Sequence, residues 1–227
     1  MEAREPPPPE PERFPFHEPL PGPGRAARSP ASAAANLSPQ QCRNELRRRK
    51  IETKRAPGPA SGVATPLRLA GPLQGVRFIA PGGRSVYGTL DCRLILALDE
   101  FSRILRQHAV VEVRIDNAYR PRAKLPGRRK RSQHAYGLAA DIMAMKLEDG
   151  RTLSIERDWR GALDAPSCGP EARPEDPTEE TIVLRNILCQ AAREGVFHHL
   201  LTPNYDPAHR DHLHLDIQRG ARTMLLR

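Results

Sequence analysis

Apolar positions recur at three- and four-residue steps between residues 90 and 107. Leu90, Leu94, Ala97, Leu98, Phe101, Ile104 and Leu105 form one stripe, and this spacing predicts a helix. A second stripe, Leu184, Ile187, Leu188 and Ala191, predicts a helix over 178–194. Thr178 opens it, Glu179 and Glu180 suit its first turn, and Gly195 stops it. Elsewhere the period falls to two. Val111, Val113 and Ile115 alternate with Glu112, Arg114 and Asp116, which predicts a half-buried strand over 110–116. Residues 138–147 and 151–156 read as strands joined by a turn at Glu148-Asp149-Gly150. Further strands are expected at 75–79, 197–201 and 212–218, and a short helix at 38–46 capped by Ser38 with Pro39 behind it. Hairpin-compatible strands with separated helices predict an α+β fold, an antiparallel sheet flanked by helices.

Composition divides the chain. Of its 24 prolines, ten fall within residues 1–30. Residues 1–40 are rich in Pro, Ala, Ser, Gly and Arg and hold few large apolar groups to offset ordering entropy, which predicts a disordered Pro-rich tail. Residues 41–62 read as a basic helix and linker, and 63–227 as the globular domain. No apolar run is long enough to span a membrane. The N-terminus runs into Pro6–Pro9 without an apolar leader, so no cleavable export signal is visible. Cys42, Cys92, Cys168 and Cys189 form no CxxC pair; they permit two disulfides in three connectivities, or buried thiols. The net charge of +9 favours anionic partners without choosing among them.

Chemistry concentrates in two segments, Ser132–Asp141 and His209–Asp216, which hold four of the eight histidines. Taken as a strand, the second points His212, His214 and Asp216 one way and Leu213, Leu215 and Ile217 into the core. Imidazole and carboxylate are typical zinc ligands, and a catalytic zinc takes three from the protein. His134, Asp141 and His214 would supply one such set. A satisfied core histidine, or an Asp141 that caps a turn or pairs with an arginine, accounts for the same residues one at a time.

The block Ser-x-His-x-x-Gly-x-Ala-x-Asp at 132–141 followed by Asp-His-x-His at 211–214 resembles the LAS-type zinc peptidases, the group of lysostaphin, D-Ala-D-Ala carboxypeptidase and hedgehog-like folds. Together with Ala118-Tyr119-Arg120-Pro121-Arg122 and the His209-to-Asp216 run, it is most similar to the extensin-like C-terminal domain family, over roughly residues 40–220. The resemblance implies a hedgehog/D-Ala-D-Ala peptidase-like fold and one Zn2+ held by His134, Asp141 and His214. It implies catalytic roles for His212 and Asp211 and an active-site role for His209, and it implies an envelope or periplasmic location.

The expected activity is zinc-dependent hydrolysis of a peptide or amide bond in peptidoglycan. The alternative is a metal-containing cell-wall or polyanion-binding module without catalysis. Either His212 or Asp211 would act as general base. A regular strand through 211 favours His212, and a loop there favours Asp211. Arg120 would steady an oxyanion or hold a substrate carboxylate. Ser132 would bond substrate or orient its loop. The loop from Arg120 to Arg131 carries seven cations beside His134, suited to anionic peptide termini, to nucleic acid phosphates, or simply to solvent. With 4% aromatic residues and no stacking platform among those charges, nucleic acid is not the expected partner.

Overall fold

Leu94, Ile95, Leu98, Phe101, Ile104 and Leu105 are all fully buried, as the stripe over 90–107 requires. The computed structural model describes residues 14–227. Its helices are α1 (Pro30–Ala35), α2 (Pro39–Arg48), α3 (Cys92–Gln107), α4 (Ile155–Asp158) and α5 (Glu179–Glu194). Its strands are β1 (Thr53–Arg55), β2 (Pro66–Leu69), β3 (Arg77–Ile79), β4 (Leu90–Asp91), β5 (Val110–Asn117), β6 (Ala139–Leu147), β7 (Thr152–Ser154), β8 (His199–Leu201), β9 (Leu213–Asp216) and β10 (Leu225–Leu226). Among the described residues no helix is long and apolar enough to cross a membrane.

The fold is α+β. Strands β1, β2 and β4 form a small antiparallel sheet, and the large sheet runs β10-β8-β9-β6-β5-β3 with β7 beside β6. The large sheet is mixed, which corrects the expectation of an antiparallel one. Its centre, β5-β6-β9-β8, is antiparallel, but β3 joins β5 in parallel and β10 joins β8 in parallel. For β3 the cause is connectivity: α3 lies between β3 and β5, and a strand that returns after a helix enters alongside rather than folding back. Leu200, Leu213, Leu215, Ala140 and Ile142 join α3 and α5 in one core, where Phe101 meets Phe197 edge-on at 5.5 Å.

Local chemistry sets the element ends. The Asp91 carboxylate accepts from the Arg93 N–H and so caps α3, and it also accepts from the Thr65 N–H and pairs with the Arg93 guanidinium. The strand expected over 151–156 stops at Ser154, because the Ser154 hydroxyl caps α4 by accepting from the Arg157 N–H. Trp159 is buried beyond α4, and its indole N–H donates to Asn204 Oδ1 at 2.8 Å. Over its ring lies the Arg185 guanidinium at 4.8 Å, buried and held by the carbonyls of Ser167, Trp159 and Arg160. Burial pulls this guanidinium down to about 10.

The expected tail is corrected over residues 14–40; residues 1–13 lie outside the described ones. Phe16 is buried with Cys168, Ala172 and Cys189, and α1 buries Ala31, Ala34 and Ala35 in the main core. Low side-chain bulk does not prevent packing here, since small alanines let a backbone approach closely and bury area without large side chains. Residues 41–62 do not stand apart either: α2 buries Cys42 and Leu46 in the same core. Of the three connectivities, the pairs are Cys42–Cys92 and Cys168–Cys189, spanning 50 and 21 residues. By loop-closure entropy these are worth about 4 and about 3 kcal/mol. The first fastens α2 to the start of α3, and the second fastens the loop over Phe16 to α5.

Candidate metal centre

The register of the large sheet builds one polar row across its face. Asp141 on β6 pairs directly with His214 on β9, Ala139 with Asp216, and His199 on β8 with Asp216. Asn117 on β5 lies across from Asp141, beyond an irregularity in the β5–β6 ladder. The intervening residues Ala140, Leu213 and Leu215 face the core, so a two-residue period delivers carboxylate and imidazole to one face.

His134 arrives from outside the sheet, on a 3-10 turn over Gln133–Tyr136. Ser132 caps that turn by accepting from the His134 N–H at 3.3 Å. Gly137 ends it at φ 63°, a left-handed conformation, and a Cβ there would stand 3.0 Å from the Asp91 backbone nitrogen. The glycine of the His-x-x-Gly spacing thus lets the chain turn from His134 into β6, where Asp141 follows.

The three side chains converge. His134 Nε2 lies 3.1 Å from Asp141 Oδ1 and 3.1 Å from His214 Nδ1, and His214 Nδ1 lies 3.0 Å from Asp141 Oδ1. All three residues are buried. Tautomers follow from the outer partners. His134 Nδ1 lies 2.9 Å from the Ala118 carbonyl, which only accepts, so the proton of the neutral ring is there and Nε2 carries a lone pair. His214 Nε2 lies 3.1 Å from Asp216 Oδ2, so the neutral ring presents its Nδ1 lone pair inward. With both rings neutral, two imidazole lone pairs and a carboxylate oxygen face one point.

This donor set fits a divalent cation. A tetrahedral zinc about 2.0–2.1 Å from nitrogen and oxygen ligands separates them by about 3.3 Å, close to the triangle found. One proton can lie on only one edge of that triangle, whereas an ion over its centre satisfies all three atoms. His134, Asp141 and His214 would hold the ion, with Ala118 and Asp216 fixing the two rings from behind.

Electrostatics agree with mutual dependence. Burial opposes ionisation of Asp141, but hydrogen bonds and charge from His134 and His214 outweigh it and hold its carboxyl far below the usual range. Burial lowers the His134 imidazole despite Asp141. Burial also opposes charge on His214, yet Asp141 and Asp216 together raise it to about 9.

The other expected residues gather around this triangle. His212 precedes β9, and its Nε2 lies 3.7 Å from Asp141 Oδ1. Its Nδ1 lies 2.7 Å from Asp211 Oδ1. Residue 211 does sit in a turn, the condition expected to favour Asp211 as base, but its carboxylate is directed at His212. The His209 ring centroid is 5.0 Å from that of His212 and 6.1 Å from that of His214, and its Nδ1 meets Asp206 at 2.8 Å. Tyr205 stands edge-on to His209 at 5.3 Å. Arg120 is half exposed, with its guanidinium 4.0 Å from Asp141 Oδ2. Ser132 is buried, and its hydroxyl orients the loop as the cap of the His134 turn.

Sequence reasoning placed Asp216 on the right face without assigning it a role, and missed His199 and the Ala118 carbonyl. The alternation of β9 carried the signal for Asp216. His199 depends on the β8–β9 pairing, for which the sequence holds no local sign.

A family model described as the extensin-like protein C-terminus matches residues 40–226. No curated protein and no solved structure matches the chain.

Proposed function

The chain belongs to the extensin-like C-terminal family, and from that premise we propose that it is a zinc-dependent hydrolase of peptide or amide bonds, acting on peptidoglycan stem peptides or cross-links. The observation that carries the reading is the convergence of two imidazole nitrogens and a carboxylate oxygen at 3.0–3.1 Å, each locked from behind or by charge. The substrate class and the kinship to LAS-type peptidases with a D-Ala-D-Ala peptidase-like fold rest on the paired motifs at 132–141 and 211–214.

Zinc in such a three-ligand site supplies Lewis acidity, bringing a water toward a pKa of about 7 and polarising a carbonyl. The chain's own residues do the rest. Asp211 accepts from His212 Nδ1–H, which leaves a lone pair on Nε2 aimed at the centre. His212 takes a proton from the attacking water and returns it to the leaving amine, as general base and then acid. Asp211 orients it and stabilises the imidazolium. Arg120, at the open edge beside Asp141, meets negative charge as it develops on the substrate oxygen.

The deciding experiment is mass spectrometry of murein fragments after incubation with zinc-loaded protein and with a chelator-treated control. New amide-cleaved fragments in the zinc arm alone support the reading. Identical profiles in both arms overturn it in favour of a metal-containing binding module.

A further inference from the structure

The centre is flanked by a built cationic hairpin that hydrolysis of an uncharged bond does not require. Residues 121–131 leave the site and return to it. The Arg120 N–H donates to the His134 carbonyl at 3.0 Å, and the Ser132 N–H to the Ala123 carbonyl at 3.0 Å. Both ends are therefore tied to the element that carries His134. Between them Lys124 bridges Arg131, and the Leu125 N–H donates to the Lys130 carbonyl. The tip is a tight turn: the Arg128 N–H donates to the Leu125 carbonyl, Pro126 presets its first inner position, and Gly127 takes φ 63° at the second.

This hairpin, closed by a single β-bridge, carries one sign of charge. Arg122, Lys124, Arg128, Arg129, Lys130 and Arg131 are all exposed, and no acidic residue occurs between Asp116 and Asp141. Among the described residues, none of these six forms an ion pair, and Arg120 at the base reaches only Asp141 at 4.0 Å. Several arginines elsewhere are matched by nearby acids: Arg48 pairs with Glu45, Arg151 with Asp149, Glu179 and Glu180, and Arg157 with Asp158. Clustered like charges repel one another at a cost in folding stability, and they concentrate anions locally.

We propose that the hairpin is an extended subsite for an acidic peptide, binding carboxylates of the same substrate whose scissile bond lies at the metal centre. The proposal rests on the hydrolase reading and adds that the substrate is anionic well beyond the reacting bond. An acidic peptide is favoured over nucleic acid because no aromatic residue interleaves the charges to stack a base.

The test measures binding, so it does not depend on turnover. A fluorescent murein stem peptide with free carboxylates and its fully amidated counterpart are titrated into the zinc-loaded protein at low salt. The same titration uses the variant Arg128→Ser, Arg129→Ser, Lys130→Ser, Arg131→Ser, after a check that its zinc stoichiometry is unchanged. We expect at least tenfold tighter binding of the free acid to the natural chain, a preference that shrinks at high salt and is lost in the variant. Equal affinity for the two peptides, or a preference kept by the variant, overturns the hairpin subsite while leaving murein cleavage intact. Displacement of the acid by an oligonucleotide at far lower concentration, through the same four residues, also overturns it. A loop-dependent preference without any zinc-dependent fragments sinks the hydrolase reading and leaves the hairpin as an anion-binding surface.

Discussion

His199 sits directly across from Asp216 in the β8–β9 pairing, and its Nδ1 lies 2.7 Å from the Asp216 carboxylate. Asp216 is buried and turns its other oxygen to His214 Nε2 at 3.1 Å. An imidazole with a carboxylate behind it is a better electron donor, and its ring is held in one orientation. Asp216→Asn is therefore expected to weaken zinc binding by about 10–100-fold, and His199→Gln to weaken it by less. Competition with a chromophoric chelator measures both. Unchanged affinity in Asp216→Asn would remove the support role.

The Asp211–His212 pair makes a different prediction, because neither residue belongs to the triangle. His212→Gln should lower turnover by about 10²–10⁴-fold while one zinc per chain is retained. Asp211→Asn should cost less, since it acts through the ring it orients. If His212→Gln keeps full turnover and Asp211→Asn does not, the carboxylate is the base and the roles exchange.

The parts of this site legible in the sequence are those that depend on local period. The alternation of Leu213 to Asp216 fixes which side chains share a face, and the 132–141 and 209–216 segments hold the residues that meet. What escaped reading is long-range or built from small residues. The parallel edges β3 and β10 depend on how the chain crosses the sheet, and the β8–β9 pairing that brings His199 to Asp216 leaves no trace in either segment. The α1 helix, with three buried alanines, carries no bulky stripe to betray it.

That same α1 helix is fastened by a buried histidine, His198, that forms no ion pair among the described residues. His198 accepts the Gln218 N–H on Nδ1 at 2.9 Å and meets the Ser32 hydroxyl through Nε2 at 2.9 Å. Ser32 gives its own proton to the Ala26 carbonyl, so it must accept from His198, and the ring is satisfied only when neutral. Burial lowers this imidazole to about 4. The unfolded chain then binds a proton that the folded chain refuses. The stabilisation is complete above about pH 6.5 and is lost as pH falls toward about 4, by at most about 3 kcal/mol. Urea midpoints between pH 7.5 and pH 5 should fall more for the natural chain than for His198→Gln. Equal falls would assign the acid sensitivity to the other depressed imidazoles, His134 and His209.

Metal binding itself should release a proton, and the sign follows from His214. Asp141 and Asp216 hold its imidazole protonated up to about pH 9, so at neutral pH the inward Nδ1 carries a hydrogen when no cation is bound. His134 behaves oppositely: burial keeps it neutral, its Nδ1–H stays on the Ala118 carbonyl, and Nε2 needs no deprotonation. Asp141 is ionised throughout. A zinc ion entering the triangle must therefore displace about one proton from the protein, the one on His214. Affinity should rise roughly tenfold per pH unit through neutrality and level off near pH 9, and it should be lost as pH falls. Calorimetry in buffers of different ionisation enthalpy counts the released protons directly. Measured at pH 6, where a zinc-held water keeps its protons, release near zero would mean that His214 already presents a lone pair, and release near two would mean that His134 is protonated as well.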